Sequence, residues 1–415
     1  MAATAKKKKK VRTAPTARVG VPMSTILTSV NQKWGAGTIF WGSSLKPDVP
    51  RLPFSIFSLD YAAGGGIPLG GSACLWGPEG GGKTLMAVKA MRSASLFCWR
   101  CFNPISFCTC SQKALLMKSC WADVEGTLDQ VWVSQCGVDP SAYSVALCDY
   151  GEQYADVADS VLEADDCGLL VIDSLANLVP EAEFEASASD QFMGNQAKLI
   201  TRLVRRLKQR IIRERKRGHP CMILFINQMR SRLGVLYGDP ETMCGGHALR
   251  HEFSLLFRCA KKSLTGKKET DNTAPAAEED DSSDATVTVG GNTAKYMEAS
   301  RKKARASRHS FAIRKEKVLT LAGSGEFVVI KEDIPALGLH KGTVDDFNAL
   351  FTYAKEFEVI TKPTSNEYRY FGFKAKTIDD IKNVWRKKPE EYLRTELEII
   401  RKAKKRLEYT VTEAK

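Results

Sequence analysis

The sequence predicts an α/β fold, a mainly parallel sheet flanked by helices, and three observations predict it. Apolar runs of strand length alternate with amphipathic stretches from Phe54 to about Lys262. One run, Ser72-Ala73-Cys74-Leu75-Trp76, leads into Gly77-Pro78-Glu79-Gly80-Gly81-Gly82-Lys83-Thr84, and Leu85 to Met91 follows with helical composition and no breaker. Another, Leu169-Leu170-Val171-Ile172, ends in the carboxylate of Asp173.

Taken in order, residues 1–20 carry Lys6 to Lys10, Arg12 and Arg18 among Ala, Thr and Pro, a disordered basic arm by composition. Phosphate contact, a nuclear address and simple solubility are the three readings of that arm. Residues 21–53 read as a helix capped by Ser24 and ending near Trp34, a short strand around Thr38 to Trp41, then a loop. In the core, residues 54–330, the strand candidates are Ala73 to Trp76, Lys118 to Ala122, Leu169 to Ile172, Cys221 to Ile226 and Leu255 to Cys259. Helices are expected near Lys83 to Phe97, Glu152 to Ala164 and Asn195 to Arg217. In the last, Leu199, Leu203, Leu207 and Ile211 form a buried stripe, and Arg202, Arg205, Arg206, Arg210 and Arg213 surround it as a solvated or a phosphate-facing surface. Residues 263–293, with Glu278 to Asp281, read as a disordered acidic insertion between two strands, followed by the basic block Arg301 to Arg305 with Arg308. Residues 331–415 form a small α+β unit of helices and a short hairpin, ending in a basic helix from Pro389 to Arg406.

The chain has 415 residues, enough for a large core and a smaller second unit. No run of about 18 apolar residues suggests a membrane span, and no apolar segment backs the N-terminal lysines as a secretory signal would. Twelve cysteines without secretion point to a reducing compartment, and the net charge of +13 points to a polyanion, nucleic acid first.

A strand, a glycine-rich loop and a helix make a phosphate cradle. Glycines let backbone N–H groups converge on phosphate oxygens, and the helix N-terminus adds a favourable dipole. The expected ligand is a nucleoside triphosphate, ATP, held by Gly77, Pro78, Glu79, Gly80, Gly81, Gly82, Lys83, Thr84 and Leu85. Lys83 reaches the β/γ-phosphates, while Thr84 and Asp173 hold Mg²⁺. Glu125, in Asp123-Val124-Glu125, either orients an attacking water or serves as an N-terminal helix charge.

Several stretches then occur in one order: Asp123-Val124-Glu125 with Leu128-Asp129, Gly151-Glu152-Gln153, Val171-Ile172-Asp173-Ser174, Pro180 to Glu183, Met193-Gly194 and Phe225 to Arg230. Gly234 to Thr242 and Gly245 to Leu249 follow, and the pattern resembles that of RecA-family recombinases of the bacterial and bacteriophage type. The resemblance runs from about Val30 to Ala260 and resumes from Ile334 to Leu407. It implies a RecA-type ATPase core behind an N-terminal polymerisation segment and ahead of a DNA-accessory domain. Glu125 resembles the residue that activates water, Gln228 the γ-phosphate sensor, and Asp129 and Trp132 the positions that meet adenine. Glu181 to Asp190, with Glu183, resemble a first DNA loop that leads to Met193 and Gly194. Met229 to Gly246, with Arg230, Arg232, Tyr237, Gly245 and Gly246, resemble a second. The implied activity is a DNA-dependent ATPase that polymerises as a helical filament on single-stranded DNA and exchanges strands with duplex in recombinational repair. The implied location is the cytoplasm of a bacterial or phage-infected cell, with a nuclear compartment left open by the lysine arm. Ring-forming motors and non-hydrolysing scaffolds are the competing classes; the second-loop motif argues against the first, and Glu125 with Gln228 against the second. Lysines that reach a neighbour's ATP in the family have no clear counterpart here; Arg301, Lys302, Lys303 and Arg305 are candidates.

The departure from that pattern is the insertion 98–112. Cys98, Cys101, Cys108 and Cys110 are spaced as C-x-x-C and C-x-C, which suits a tetrahedral structural Zn²⁺; two disulfides or a buried cysteine cluster are the alternatives. Cys74, Cys148, Cys167, Cys221 and Cys259 read as core residues.

Overall fold

The computed structural model describes residues 20–44, 49–110, 116–187, 194–219, 221–231, 241–262, 306–335 and 339–413. The basic arm 1–19, the acidic insertion 263–293 and Arg301 to Arg305 lie outside the described residues, as do Met193, Arg232 and Tyr237. Two compact units form, Met1–Asp48 and Val49–Lys415.

In the first unit, α1 (Met23–Trp34) starts after Pro22 with no side-chain cap, so the expected Ser24 cap is corrected. Proline at that place already presets an extended entry to the helix. The expected strand at Thr38 to Trp41 is likewise absent. Asn31 folds this stretch back instead, accepting from the backbone N–H groups of Thr38 (3.0 Å) and Ile39 (3.1 Å) and donating to the Ile39 carbonyl (2.8 Å).

The second unit opens with β1 (Arg51–Leu52), α2 (Phe57–Ala62) and β2 (Ile67–Pro68), a small ribbon beside the main sheet. The core then runs through β3 (Ser72–Gly77), α3 (Lys83–Ala94), β4 (Lys118–Asp123), α4 (Gln130–Gln135), β5 (Tyr143–Ala146), α5 (Gly151–Val161) and β6 (Cys167–Asp173). It continues with α6 (Glu181–Phe184), α7 (Asn195–Lys216), β7 (Met222–Ser231), β8 (Glu241–Met243), β9 (Leu255–Lys262), β10 (Ala306–Glu316) and β11 (Ser324–Ile330). The sheet order is β11-β10-β9-β3-β7-β6-β4-β5, with β8 paired to β7. From β9 to β5 every pairing is parallel, and β10 and β11 extend one edge antiparallel.

Period-two alternation splits the apolar side chains between two faces. Leu75, Leu169 and Val171 pack on one side with Met86, Val88 and Met91 of α3, and Cys74, Trp76, Leu170 and Ile172 on the other with α5 and α7. The α7 stripe is buried as expected. Of the arginines around it, however, Arg206 pairs with Asp156 at 2.6 Å, Arg205 with Glu252, and Arg210 with Glu163, Asp159 and Glu214. Arg210 is 5% exposed, so it is neither solvated nor turned to a phosphate: it rivets α7 to α5.

The remaining elements are α8 (Phe347–Glu356), β12 (Ile360–Thr364), β13 (Glu367–Tyr370), β14 (Phe373–Ala375), α9 (Ile378–Lys387) and α10 (Pro389–Glu413). The expected hairpin is a three-stranded meander, β12-β13-β14. The Trp385 indole donates to the Tyr370 hydroxyl (3.2 Å) and Thr395 (3.1 Å), and the apolar cluster is continuous with that under α3. Three carboxyl groups are sealed where α2, α8 and α10 meet. Asp60 accepts from the N–H groups of Phe54 and Ile56, and Asp346 from Phe57 N–H and the Tyr392 hydroxyl. Burial pushes both up to about 7. Glu396 is fully buried and shares a hydrogen bond with the Asp60 carboxyl, and burial, followed by the Asp60 charge, raises its pKa well above the ordinary carboxyl value.

A buried acid with a raised pKa supports the fold fully below its unfolded value and loses that support as pH climbs toward the folded one. Glu396→Gln should therefore reduce the loss of unfolding free energy, measured by urea titration, on going from mildly acidic to mildly alkaline buffer. The reduction is roughly 1.4 kcal/mol for every tenfold by which folding tightens the carboxyl's hold on its proton. Equal losses in wild type and variant would contradict a neutral Glu396.

Candidate nucleotide site and loop bases

Parallel strands deliver their C-terminal ends to one edge, where α/β sheets bind ligands. Gly77 ends β3, Gln228 lies in β7, Asp173 ends β6 and Asp123 ends β4, and these four strands are neighbours. Register aligns them: Gly77 lies opposite Gln228, and Asp123 opposite Asp173. Together they border a cleft of about 670 Å³ lined by Gly77 to Leu85, Glu125, Trp132, Asp173, Ile226, Gln228 and Met229.

The loop is shaped by its glycines. Gly77 sits at φ +144°, where an added Cβ would fall 2.0 Å from the Cys259 carbonyl oxygen, so no other residue fits. Gly82, at φ +83°, faces the ring of His309. Lys83 curls over the loop and donates to the carbonyls of Gly77 (3.1 Å) and Pro78 (2.7 Å). Burial lowers its pKa from the usual lysine value, against the pull of nearby carboxylates. Thr84 Oγ1 donates to Asp173 Oδ2 at 3.3 Å, which sets a hydroxyl beside a carboxylate as a magnesium shell requires. Burial, and then the Glu125 charge, push Asp173 up to about 7, a tension that a divalent cation would relieve.

Glu125 is held on a bend that Asp123 builds by accepting from the N–H groups of Gly126, Thr127 and Leu128. Its Oε1 accepts from Ser174 Oγ (2.8 Å) and Gln228 Nε2 (3.2 Å). The same Gln228 amide donates to Asn177 Oδ1 at 3.2 Å. Asp129 instead caps α4, accepting from Val131 and Trp132 N–H, and does not line the cleft, whereas Trp132 does.

Two segments leave this point. β7 continues past Gln228 through Met229 and Arg230 and pairs with β8, Arg230 opposite Thr242 and Ser231 opposite Glu241, so the two described ends of the second segment are paired antiparallel on the strand that carries Gln228. The first leaves through Asn177 and α6, where Glu183 is exposed, and returns at Gly194, exposed at φ +79°. Gln196 joins their bases: its Nε2 donates to Ala176 and Leu178 carbonyls, and its Oε1 accepts from Arg230 at 3.5 Å. Gly245 packs by Ile200 and Leu249, and Gly246 is exposed. Sequence reasoning missed Asn177, Gln196 and His309; each is a lone polar residue whose partners come from distant segments, so no local spacing reveals it.

The four insertion cysteines converge, with sulfur atoms within 4.8 Å of one another. The Cys101–Cys108 (3.4 Å) and Cys98–Cys110 (3.8 Å) separations exceed a disulfide bond, and Cys110 N–H donates to Cys108 Sγ. Phe107, in the same turn, covers one side of the Arg394 guanidinium of α10, 4.8 Å from its ring centre, and Phe371 covers another at 3.9 Å.

Comparison with known proteins adds to this geometry. The model of the RecA N-terminal domain family matches residues 104–276. "Protein RecA" of Gloeobacter violaceus is 32% identical over 260 residues, 62% of this chain and 64% of that one. Those of Kineococcus radiotolerans and Haemophilus ducreyi are 33% and 30% identical over 231 residues, 55% of this chain and 60% and 56% of theirs. The chain thus spans less than two thirds of the length of the curated relatives it matches.

Replacing Lys83 removes the only ammonium lining the cleft among the described residues. Lys83→Ala should weaken binding of a fluorescent ATP analogue by about 10- to 150-fold, the span of one charged hydrogen-bonding group, in an equilibrium titration. Unchanged affinity would place the triphosphate elsewhere.

Proposed function

Because the chain belongs to the RecA family, we propose that it is a DNA-dependent ATPase that assembles with copies of itself into helical filaments on single-stranded DNA and carries out homologous pairing and strand exchange in repair. The observation that carries this reading is the Gln228 amide, shared between Glu125 and Asn177 at the root of both loops. In this reading the triphosphate lies along Gly77 to Thr84 with its γ-phosphate toward Glu125 and Gln228. Magnesium, held by Thr84 and Asp173, would neutralise phosphate charge. Glu125 orients water and takes its proton, while Ser174 fixes the carboxylate's direction. Gln228 turning from Asn177 toward the γ-phosphate shifts the β7–β8 hairpin and the segment from Asn177 together, a population shift toward a DNA-gripping state. Arg230, Gly245 and Gly246, with Glu183 and Gly194 on the first loop, border the strand, and Met193, Arg232 and Tyr237 belong to the same loops.

The segment 21–53 serves subunit contacts in this reading, and the C-terminal unit recruits duplex DNA. Lys374, Lys376, Lys387 and Lys388 line one shallow groove there, which supports the second assignment. Lys402 and Lys404 contribute less: the first caps the carbonyls of Phe357 and Glu358, and the second is 9% exposed. No described helix is long and apolar enough to cross a membrane. A reducing cytoplasm suits the twelve free thiols.

Two experiments test the reading. With ATP and magnesium, electron micrographs should show helical fibres on single-stranded DNA, and Glu125→Gln should keep the fibres while slowing hydrolysis by about 10²- to 10⁴-fold. Closed rings, or fibres without strand exchange, would overturn it. For the cysteine turn we propose Zn²⁺ on Cys98, Cys101, Cys108 and Cys110, and elemental analysis of protein purified without added metal should find about one equivalent, lost in Cys101→Ser. Absence of zinc from the wild-type protein would remove the assignment.

A further inference from the structure

A second cavity, of about 180 Å³, lies between the far end of α3 and the C-terminal unit, away from the glycine loop. Its charged walls are mostly cationic: Lys89 and Arg92 one turn apart on α3, Arg386 at the end of α9, and His340 on the rim. Lys89 is 5% exposed and donates to the Cys136 carbonyl at 3.2 Å, which leaves it two further N–H groups. The Arg92 guanidinium makes no ion pair or hydrogen bond among the described residues. Arg386 reaches Asn383 through one nitrogen, and its Nε is buried without a partner. The only carboxyl in the lining among the described residues, Asp346, is engaged from behind by Phe57 N–H and the Tyr392 hydroxyl.

Three cations gathered with one engaged acid repel each other, and a half-buried guanidinium such as that of Arg92 gains from an anion. Burial, and then the charge of Arg92, depress Lys89 to about 8. All three side chains border the cavity, and Arg386, whose guanidinium lies 5.2 Å from the centre of the Phe347 ring, keeps one terminal nitrogen without a hydrogen bond. The volume selects the anion's size, since it falls below the roughly 300 Å³ at which pockets for drug-sized ligands begin.

We propose that this cavity is an oxyanion site that binds a phosphate-sized group through Arg92, Lys89 and Arg386, independently of the triphosphate cleft. Free phosphate and the terminal phosphoryl group of a nucleotide or DNA end share this chemistry. Arg92 offers the planar fork that matches phosphate oxygens, and Lys89 adds a point charge behind it. Because α3 starts at the glycine loop and ends at this cavity, an occupant would touch the same helix that begins at Lys83.

The test uses the full chain with the glycine-loop cleft filled by saturating AMP-PNP and Mg²⁺, and equilibrium dialysis against radiolabelled inorganic phosphate. About one equivalent should bind, and at least tenfold more weakly in Arg92→Gln, with AMP-PNP affinity unchanged. Arg386→Gln, on the opposite wall, should weaken phosphate as well and covers the case in which Arg92→Gln does not fold. Displacement by a 5′-phosphorylated dinucleotide but not its 5′-hydroxyl twin would assign the site to phosphoryl ends; displacement by neither would assign it to free phosphate. No bound phosphate, or equal binding in both variants, overturns the proposal.

Discussion

Parallel pairing in one register is the constraint on which the rest of the molecule depends. A slip of one residue between β3 and β7, or between β6 and β4, would turn every buried side chain to the opposite face and part Gly77 from Gln228 and Asp123 from Asp173. What holds the register is the apolar content of the strands. Each fully buried Leu, Ile or Val contributes about 1.5–3 kcal/mol, and these strands are buried on both faces. The site is thus a by-product of core packing: four strand ends made neighbours by the sheet, with the chemistry on and just beyond them.

On that frame the polar groups form one connected set rather than separate parts. Glu125 is oriented through Ser174, Gln228 and the bend built by Asp123, while Asp173 is shared between Thr84 and the backbone of that same bend. Such networks are stable when every member is satisfied and sensitive when one is withdrawn. Gln228 and Ser174 both divide between the same two acceptors, Glu125 and Asn177.

Strands and long helices were legible because periodicity is a local property. The α7 stripe and the β6 run needed no partner to be recognised, and the glycine loop carries its own backbone requirement at Gly77. Long-range pairing was not legible. Arg205, Arg206 and Arg210 of α7 looked free in sequence because Asp156, Asp159, Glu163 and Glu252, their partners, lie outside that helix. Asp129 illustrates the converse. A carboxylate followed by a helix satisfies that helix's own N–H groups first, whatever cleft lies near. Ser24 failed as a cap for an equally local reason, since the helix starts at Met23, one residue before it, behind an extended Pro22.

Arg394 sits in a slot whose two walls come from far apart in the chain, Phe107 beside the thiol cluster and Phe371 beside the meander. Its own helix also carries Tyr392, whose hydroxyl reaches Asp346. Loss of the cysteine turn would carry off the first wall and loosen the packing of Arg394 on α10. The thirteen residues from Cys98 to Cys110 thus bear on the last helix through Phe107 against Arg394, a contact that joins two ends of the chain far apart in sequence.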